Sequence, residues 1–250
     1  RTLPGALSDV RIYDCALTAD DVTALWNADL PTHGPRVLGF WRMEEIVTAA
    51  NGKRYVPDSS GCGVPLEIGS DNVLMDDAGI SGRALDFPDS KQCYGVCSSK
   101  AAPIRDFTLS LWMRPKTGMD KLKDSPVNNT NPNIFNFGGY FRCPFGELGD
   151  LMRNVNVFGM ASKTNSNAVG QYINAFEKKG YWNHFAFVAK AEKGEDGLWS
   201  VEPKVYCNGK FVSTRWRSSC PEFETNGQYA ASMTFLLGNM SVGSNRAMWG

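Results

Sequence analysis

Alternation of apolar and polar residues is the main pattern along the chain. From Phe107 to Met113 every second residue is a large apolar one, so these side chains share one face of a predicted strand. The segment from His184 to Lys190 alternates in the same way and places Phe185 and Phe187 together. Both segments predict strands with one face turned towards a core.

A hairpin is predicted where Asn208-Gly209 separates two β-rich runs within Lys204–Ser213. This dipeptide accepts positive φ at both positions and is the strongest short hairpin signal in a sequence. Together with 25 glycines and 13 prolines, the many short runs favour a sandwich or barrel. Further strands are predicted at Val37–Met43, Ala84–Phe87, Asn133–Phe137, Asn156–Ala161 and Met233–Gly238.

One helix is predicted over Thr18–Trp26, which opens with a threonine cap and carries Asp20 and Asp21 in its first turn. Residues 28–36 are rich in turn formers and are interpreted as a linker. A second loop-rich stretch runs from Met119 to Asn133.

The charge balance excludes one class of partner. The 250 residues carry 26 basic and 26 acidic side chains, and neither a basic excess nor a basic stripe supports nucleic-acid binding. No run approaches eighteen apolar residues, so no membrane insertion is expected. The chain begins without a methionine or a signal-peptide core, and we expect it to be a piece of a longer protein.

Seven cysteines leave at least one thiol without an intrachain disulfide. Two local bridges, Cys93 to Cys97 and Cys207 to Cys220, are predicted if the compartment is oxidising. The alternative is that most of the cysteines are small buried apolar residues. The absence of a Cys-x-x-Cys motif, together with only two histidines, speaks against zinc.

Five segments occur in the order found in laminin G-like domains and resemble them. The resemblance implies an all-β, concanavalin A-like jelly-roll sandwich of two antiparallel sheets with one short helix. Its first segment is an acidic-ended strand followed by an Asp-Ser-Ser-Gly turn. The five segments are Val37–Glu45 with Asp58–Gly61, Gly82–Phe87, Phe107–Trp112, Tyr181–Ala186 and Val205–Lys210.

The order of the elements is circularly shifted relative to that family. Residues 1–27 resemble the family's closing strand and helix, residues 28–36 form the linker, and residues 37–250 resemble the remaining domain. A cut from a tandem array explains this order, with neighbouring repeats of the same parent chain as partners. Because the first and last strands are neighbours in this fold, residues 6–14 are expected to complete their own sheet.

The sequence offers few candidates for a pair of catalytic carboxylates. The glycosidase signature of the wider fold is absent, and the adjacent Glu44 and Glu45 should point to opposite sides of a strand. Glu222 and Glu224 have the right parity but lie in a proline-bounded loop, and His184 is expected to be packed and hydrogen-bonded. We therefore expect no enzyme activity.

Calcium is the one cofactor that the resemblance implies, as a structural ion held at the rim of the sandwich. Glu45, Asp58 and Asp9 match acidic positions of the family, whereas Ser8 stands where a further acid is common. Calcium takes six to eight oxygen ligands, which such carboxylates could supply. The alternative is that these are ordinary turn and surface carboxylates, with Asp58 forming an Asx turn without a metal.

Recognition of a glycan or glycoprotein is the expected function, because exposed aromatic rings beside polar groups suit sugar stacking. The alternatives are a purely structural repeat and an accessory domain of a glycan-degrading enzyme, in each case secreted or on the cell surface. The tryptophans predicted to lie on strands, Trp41, Trp112 and Trp182, are assigned to the core. The predicted ligand-binding residues are Trp216, Arg215, Trp249, Arg246 and Tyr140.

Overall fold

A computed structural model gives the fold of the chain. The residues that it describes are 5–27, 37–76, 79–80, 82–88, 93–97, 106–115, 133–137, 141–144, 154–156, 172–174, 181–195, 199–214, 218–220 and 235–238.

The described residues form one helix and a series of strands. The helix is α1 (Ala19–Trp26). The strands are β1 (Gly5–Tyr13), β2 (Val37–Trp41), β3 (Val47–Thr48), β4 (Arg54–Val56), β5 (Leu66–Ile68), β6 (Val73–Met75), β7 (Ala84–Phe87), β8 (Gly95–Cys97), β9 (Phe107–Pro115), β10 (Asn133–Phe137), β11 (Phe141–Pro144), β12 (Asn154–Asn156), β13 (Tyr172–Asn174), β14 (Asn183–Lys193), β15 (Trp199–Cys207), β16 (Lys210–Thr214), β17 (Ser218–Cys220) and β18 (Phe235–Leu237).

Within the described residues the strands form two large antiparallel sheets and one short ribbon. The larger sheet, sheet A, has the order β16-β15-β14-β9-β1-β7-β6, with β2 also paired to β1 and β17 to β15. The second, sheet B, has the order β11-β10-β18-β8-β5-β4-β3, and β12 pairs with β13. The expected all-β sandwich with one short helix is confirmed.

Strand β1 lies inside sheet A, where it pairs with β9 on one side and with β7 and β2 on the other. The four residues of β1 from Ser8 to Arg11 lie opposite three residues of β9, from Trp112 to Ser110. The extra residue is a β-bulge, and Asp9 within it has a φ of 49°. The bulge lets Leu7 and Val10 both face the core although they are three positions apart.

The core lies between the two sheets and contains the alternating residues that the sequence indicated. All four alternating side chains from Phe107 to Met113 are buried there, together with Phe185 and Phe187. Trp41 is fully buried, as expected, and stacks on Phe235 of the opposite sheet at 5.7 Å between ring centroids. Its indole Nε1 donates a hydrogen bond to the Val64 carbonyl at 2.9 Å, so the only polar atom of this ring is satisfied.

The helix covers part of the outer face of sheet A. Thr18 caps it, since its side chain accepts from the Asp21 N–H and the Asp21 carboxylate accepts from the Thr18 N–H. Val22 and Leu25 are buried against the sheet. They pack on a second apolar cluster whose sheet residues are Tyr13, Ala186, Val188 and Tyr206.

The predicted hairpin joins β15 to β16. Asn208 and Gly209 have φ values of 51° and 75°, as a type I′ turn requires. The Asn208 side chain also accepts a 2.9 Å hydrogen bond from the His184 N–H on the neighbouring strand. The turn therefore helps to set the register of β14 against β15.

Both predicted local disulfides are wrong. Cys93 and Cys97 are separate buried thiols, and burial raises the pKa of each well above its ordinary value. Cys220 pairs with Trp199 at one end of β15, and Cys207 lies at the other end of that strand. Eight residues (207 − 199) at about 3.3 Å each separate them by roughly 26 Å, whereas a disulfide needs Cα atoms within about 7 Å.

Other sequence boundaries are corrected by the backbone. The strand predicted to reach Met43 ends at Trp41, and Met43 has a φ of 64°, which is incompatible with a strand. Of the strand predicted at 156–161, Asn156 ends β12, and residues 157–161 lie outside the described part. In the described part, no helix has both the length and the apolar character needed to cross a membrane.

Candidate functional site

Two regions of the described chain are candidates for a functional site. One is the rim cleft, lined by Arg42, Met43, Glu44, Glu45, Val56, Pro57 and Ser59. The other is the tryptophan face, which is the part of the outer face of sheet A not covered by the helix. We define the tryptophan face by Ser8, Ser110, Trp112, Arg114, Trp182 and His184.

Asp58 organises the turn beside the rim cleft. Its carboxylate accepts N–H bonds from Phe40 at 3.0 Å, Ser60 at 2.9 Å and Val64 at 3.2 Å, and the Ser60 hydroxyl donates at 2.8 Å. Burial alone would raise the pKa of Asp58, but these hydrogen bonds outweigh burial and hold the pKa below its ordinary value. Asp58 is therefore the centre of an Asx turn that fastens the loop to β2.

Asp9 is held by a bidentate ion pair. The Arg11 guanidinium donates to its two carboxylate oxygens at 2.6 and 2.9 Å. Burial lowers the pKa of Arg11, but the hydrogen bond and charge of Asp9 outweigh this and raise the pKa overall. The guanidiniums of Arg11 and Arg42 lie 4.4 and 5.2 Å from the centroid of the Phe40 ring. These cation–π contacts hold both guanidiniums over the Phe40 ring.

The rim cleft has a volume of about 390 Å³ and mixed chemistry. Glu44 and Glu45 both line it, and both lie beyond the end of β2, so the expectation that they are strand residues is wrong. The reason is the backbone at Met43, whose positive φ turns the chain directly after β2. Such conformations in a buried non-glycine residue store strain and are found disproportionately at functional sites.

The residues predicted to hold calcium do not offer a ready set of open oxygens. Asp58 is engaged by backbone amides and Asp9 by Arg11, while Glu45 is exposed at the mouth of the rim cleft. Over the described ranges, no group of three or more His, Cys, Asp or Glu side chains could hold a metal ion. A calcium ion at this rim would have to displace Arg11 from Asp9 or the amides from Asp58.

The tryptophan face is built on three adjacent strands, β14, β9 and β1. Trp112 of β9 pairs with His184 of β14 and with Ser8 of β1. Trp112 and Trp182 are each only partly buried and belong to neither apolar cluster. The prediction that these two tryptophans are core residues is therefore wrong.

The floor of this face is polar and closed to solvent. Ser8, Ser110 and His184 are each at most 2% exposed. The Ser110 hydroxyl lies 2.8 Å from His184 Nε2, and the Trp112 ring lies 5.2 Å from the imidazole. His184 is thus packed and hydrogen-bonded, as the sequence predicted.

Two atoms of the floor lack hydrogen-bond partners. They are the Ser8 hydroxyl oxygen and His184 Nδ1. An unsatisfied buried polar atom costs about 1–3 kcal/mol, and each one in a native structure calls for an explanation. Both residues are backbone partners of Trp112, Ser8 on β1 and His184 on β14.

His184 is electrically neutral over most of the pH range. Burial, with a smaller contribution from the charge of Arg11, lowers its pKa to about 3. An imidazole of such low basicity, enclosed with its serine and with no carboxylate to orient it in the described part of the chain, is unsuited to nucleophilic catalysis. The floor is therefore neutral and buried beneath the tryptophan face.

Arg114 forms the charged edge of the tryptophan face. Its guanidinium carbon lies 5.2 Å from the centroid of the Trp182 ring, and Nη2 lies 3.9 Å from Met75 Sδ on β6. The arginine pairs with Ala6 along β1 and therefore lies directly beside the row that contains Ser8 and Trp112. One guanidinium, two indoles and a polar floor thus share one surface.

The five residues predicted to bind ligand cannot be located here. Arg215, Trp216, Arg246, Trp249 and Tyr140 all lie outside the described residues, as do His33, Glu222 and Glu224. The signal that the sequence reasoning missed was its own alternation. Because Leu111 and Met113 face the core, Trp112 between them must face outwards. No known protein family, curated protein or solved structure matches this chain.

Proposed function

We propose that this chain is a non-catalytic, laminin G-like recognition module of a secreted or cell-surface protein, and that it binds carbohydrate, free or on a glycoprotein. The observation that carries the proposal is the tryptophan face. Two partly exposed indoles, those of Trp112 and Trp182, share this face with the guanidinium of Arg114.

The chemistry of a sugar fits this surface. One side of a pyranose ring carries mainly C–H groups that pack against an indole, while its hydroxyls need donors and acceptors at the edges. Trp112 and Trp182 supply two such rings, and Arg114 supplies donors beside them. The binding surface is made by β-strands of a large sheet, so the rings are held in place before a ligand arrives.

Two other functions remain to be distinguished from this one. A purely structural repeat would use the same face to contact a neighbouring repeat, and an accessory domain of a glycan-degrading enzyme would bind the substrate of its parent. The stretch of residues 119–132, which could cover a sheet face, lies outside the described residues. A structural repeat predicts that an isolated chain binds no glycan.

The first experiment is a glycan screen followed by calorimetry on the best ligand. Trp112→Ala and Trp182→Ala should each lower the affinity by roughly tenfold or more, if a pyranose packed on an indole contributes as much as a nucleic-acid base stacked on an aromatic side chain, about 1–3 kcal/mol. Trp26→Ala is the matched control, because Trp26 is 38% exposed and lies on the helix outside the tryptophan face. Equal losses in all three variants, or no loss in any, would remove the support for this surface.

Calcium is tested separately by thermal unfolding with excess calcium and then with excess chelator. A ligand present at a hundred times its dissociation constant adds about 2.7 kcal/mol to a state that alone binds it. The calcium hypothesis expects a higher Tm with calcium that Glu45→Gln abolishes. Identical melting curves would leave Glu45, Asp58 and Asp9 as rim carboxylates with structural partners only.

A further inference from the structure

The feature that carries a further inference is the environment of Arg114. This side chain is only partly exposed, and its partners are the face of the Trp182 ring and the Met75 thioether. Among the described residues, the ion pairs join Arg11 to Asp9, Lys53 to Glu67, Arg83 to Asp76 and Lys190 to Glu192, and none includes Arg114. Within the described ranges, this partly buried guanidinium therefore has no carboxylate partner.

The other ionisable groups near the tryptophan face supply neither a second unpaired cation nor a carboxylate for Arg114. Arg11 is neutralised by Asp9 in a bidentate pair, and His184 is uncharged because its pKa is lowered to about 3 by burial. Asp86 of β7 pairs with Ala6, which lies between it and Arg114. Two strand spacings therefore separate the backbones of Arg114 and Asp86 by about 10 Å, and no ion pair forms between them.

A guanidinium prefers planar, bidentate anions. It presents a fixed fork of N–H donors that matches a carboxylate, and a hydrogen bond between charged groups is roughly twice as strong as a neutral one. A thioether is a weak acceptor and satisfies little of this capacity. Contact with the Trp182 ring holds the guanidinium in one orientation, which lowers the entropy lost when an anion binds.

We propose that the tryptophan face binds sugars that carry a carboxylate, and that Arg114 is the residue that binds this carboxylate. The inference rests on the proposed carbohydrate-binding function and adds the ligand class. The sugar ring packs on Trp112 or Trp182, and its carboxylate pairs with Arg114 at the edge of the face. Arg114 is thus a specificity residue, whereas the indoles supply affinity for any pyranose.

Two matched oligosaccharides measure the contribution of the carboxylate to the affinity separately from that of the rest of the sugar. The acidic probe is a galacturonic acid oligosaccharide, and the neutral probe is the same oligosaccharide with each carboxyl reduced to a hydroxymethyl group. The unmodified chain should bind the acidic probe roughly 10- to 100-fold more tightly, as expected for one charge-assisted pair. Rising salt should reduce this preference, because a partly exposed ion pair is screened. The third probe is the neutral oligosaccharide after sulfation, which carries sulfate groups but no carboxylate.

The variants locate the effect. Arg114→Gln should abolish the preference by lowering the affinity for the acidic probe far more than the affinity for the neutral probe, and Arg114→Lys should keep part of the preference, since lysine retains the charge but not the fork. Lys53→Gln is the control, because it removes an exposed cation from the edge of sheet B. It should leave both affinities as they are.

The outcomes distinguish the inference from the function on which it rests. Equal affinity for acidic and neutral probes, or an acidic preference that survives Arg114→Gln, overturns the role of Arg114 but keeps the tryptophan face as a sugar site. Tighter binding of the sulfated probe than of the carboxylated one overturns the carboxylate assignment. If neither acidic nor neutral sugars bind, the proposed function fails as well.

Discussion

The stability of the protein should fall on mild acidification because of one residue, His184. Its imidazole is fully buried, its pKa is lowered to about 3 by burial and by the charge of Arg11, and its Nδ1 has no hydrogen-bond partner. In the unfolded chain the same group has the ordinary pKa of 6.5. At pH values between these two pKa values, the imidazole is protonated in the unfolded state and neutral in the folded state, so lowering the pH favours unfolding.

The size of the effect follows from the two pKa values. At pH 7 both states are almost entirely neutral, and the cost is about 0.2 kcal/mol. At pH 5 the unfolded imidazole is almost fully protonated and the folded one is not, which gives a loss of about 2 kcal/mol. This is a large part of the 5–15 kcal/mol that stabilises a typical domain. Asp58, whose pKa is lowered from 3.8, loses its contribution only below about pH 4 and does not act in this interval.

The assay is urea unfolding at pH 7, 6 and 5, with the free energy of unfolding extrapolated to zero denaturant. His184→Gln should flatten the dependence over this interval, whatever it does to the stability at pH 7. His33→Gln is the matched control, since it leaves His184 as the only histidine and should keep the full slope. A slope that persists in His184→Gln, or an NMR titration of His184 with a pKa near 6.5, would refute the reasoning.

Three further substitutions test other parts of the fold by urea unfolding at pH 7. Asp58→Ala removes the acceptor of three backbone amides and should cost roughly 3 kcal/mol, and Asp58→Asn should recover part of the loss. Gly238→Ala places a Cβ against the Phe87 ring at a φ of 71°, and roughly 2 kcal/mol or more should be lost. Thr18→Ala breaks the capping box with Asp21 and should cost about 1 kcal/mol, with a matching loss of helical circular dichroism.

The sequence predicted those features that depend on neighbouring residues. The threonine cap depends only on Thr18 and the first turn of the helix, and the hairpin depends only on Asn208 and Gly209, so contacts between neighbouring residues determine both. The inward face of β9 followed from alternation within seven residues. Each of these features is fixed within one element, and the structure agrees with each.

The tryptophan face depends on contacts between residues far apart in the chain. Ser8 and Trp112 are neighbours only because β1 pairs with β9, and His184 joins them because β14 pairs with β9 on the other side. Alternation alone gives the outward direction of Trp112, but not which side chains surround it. The disulfide predicted between Cys207 and Cys220 failed for a related reason. The two cysteines are close in sequence, but the antiparallel pairing of β17 with β15 places them at opposite ends of β15.

The bulge at Asp9 links the core to the tryptophan face. In a regular strand Ser8 and Arg11 would lie on opposite faces, because three positions separate them. The extra residue at Asp9 resets the alternation, so Leu7 and Val10 face the core while Ser8 and Arg11 share the outer face. The positive φ of Asp9 costs free energy in a non-glycine residue, and the bidentate bond from Arg11 offsets it. Arg11 is thereby neutralised beside the face, and Arg114 remains the cation of that surface without a carboxylate partner in the described part of the chain.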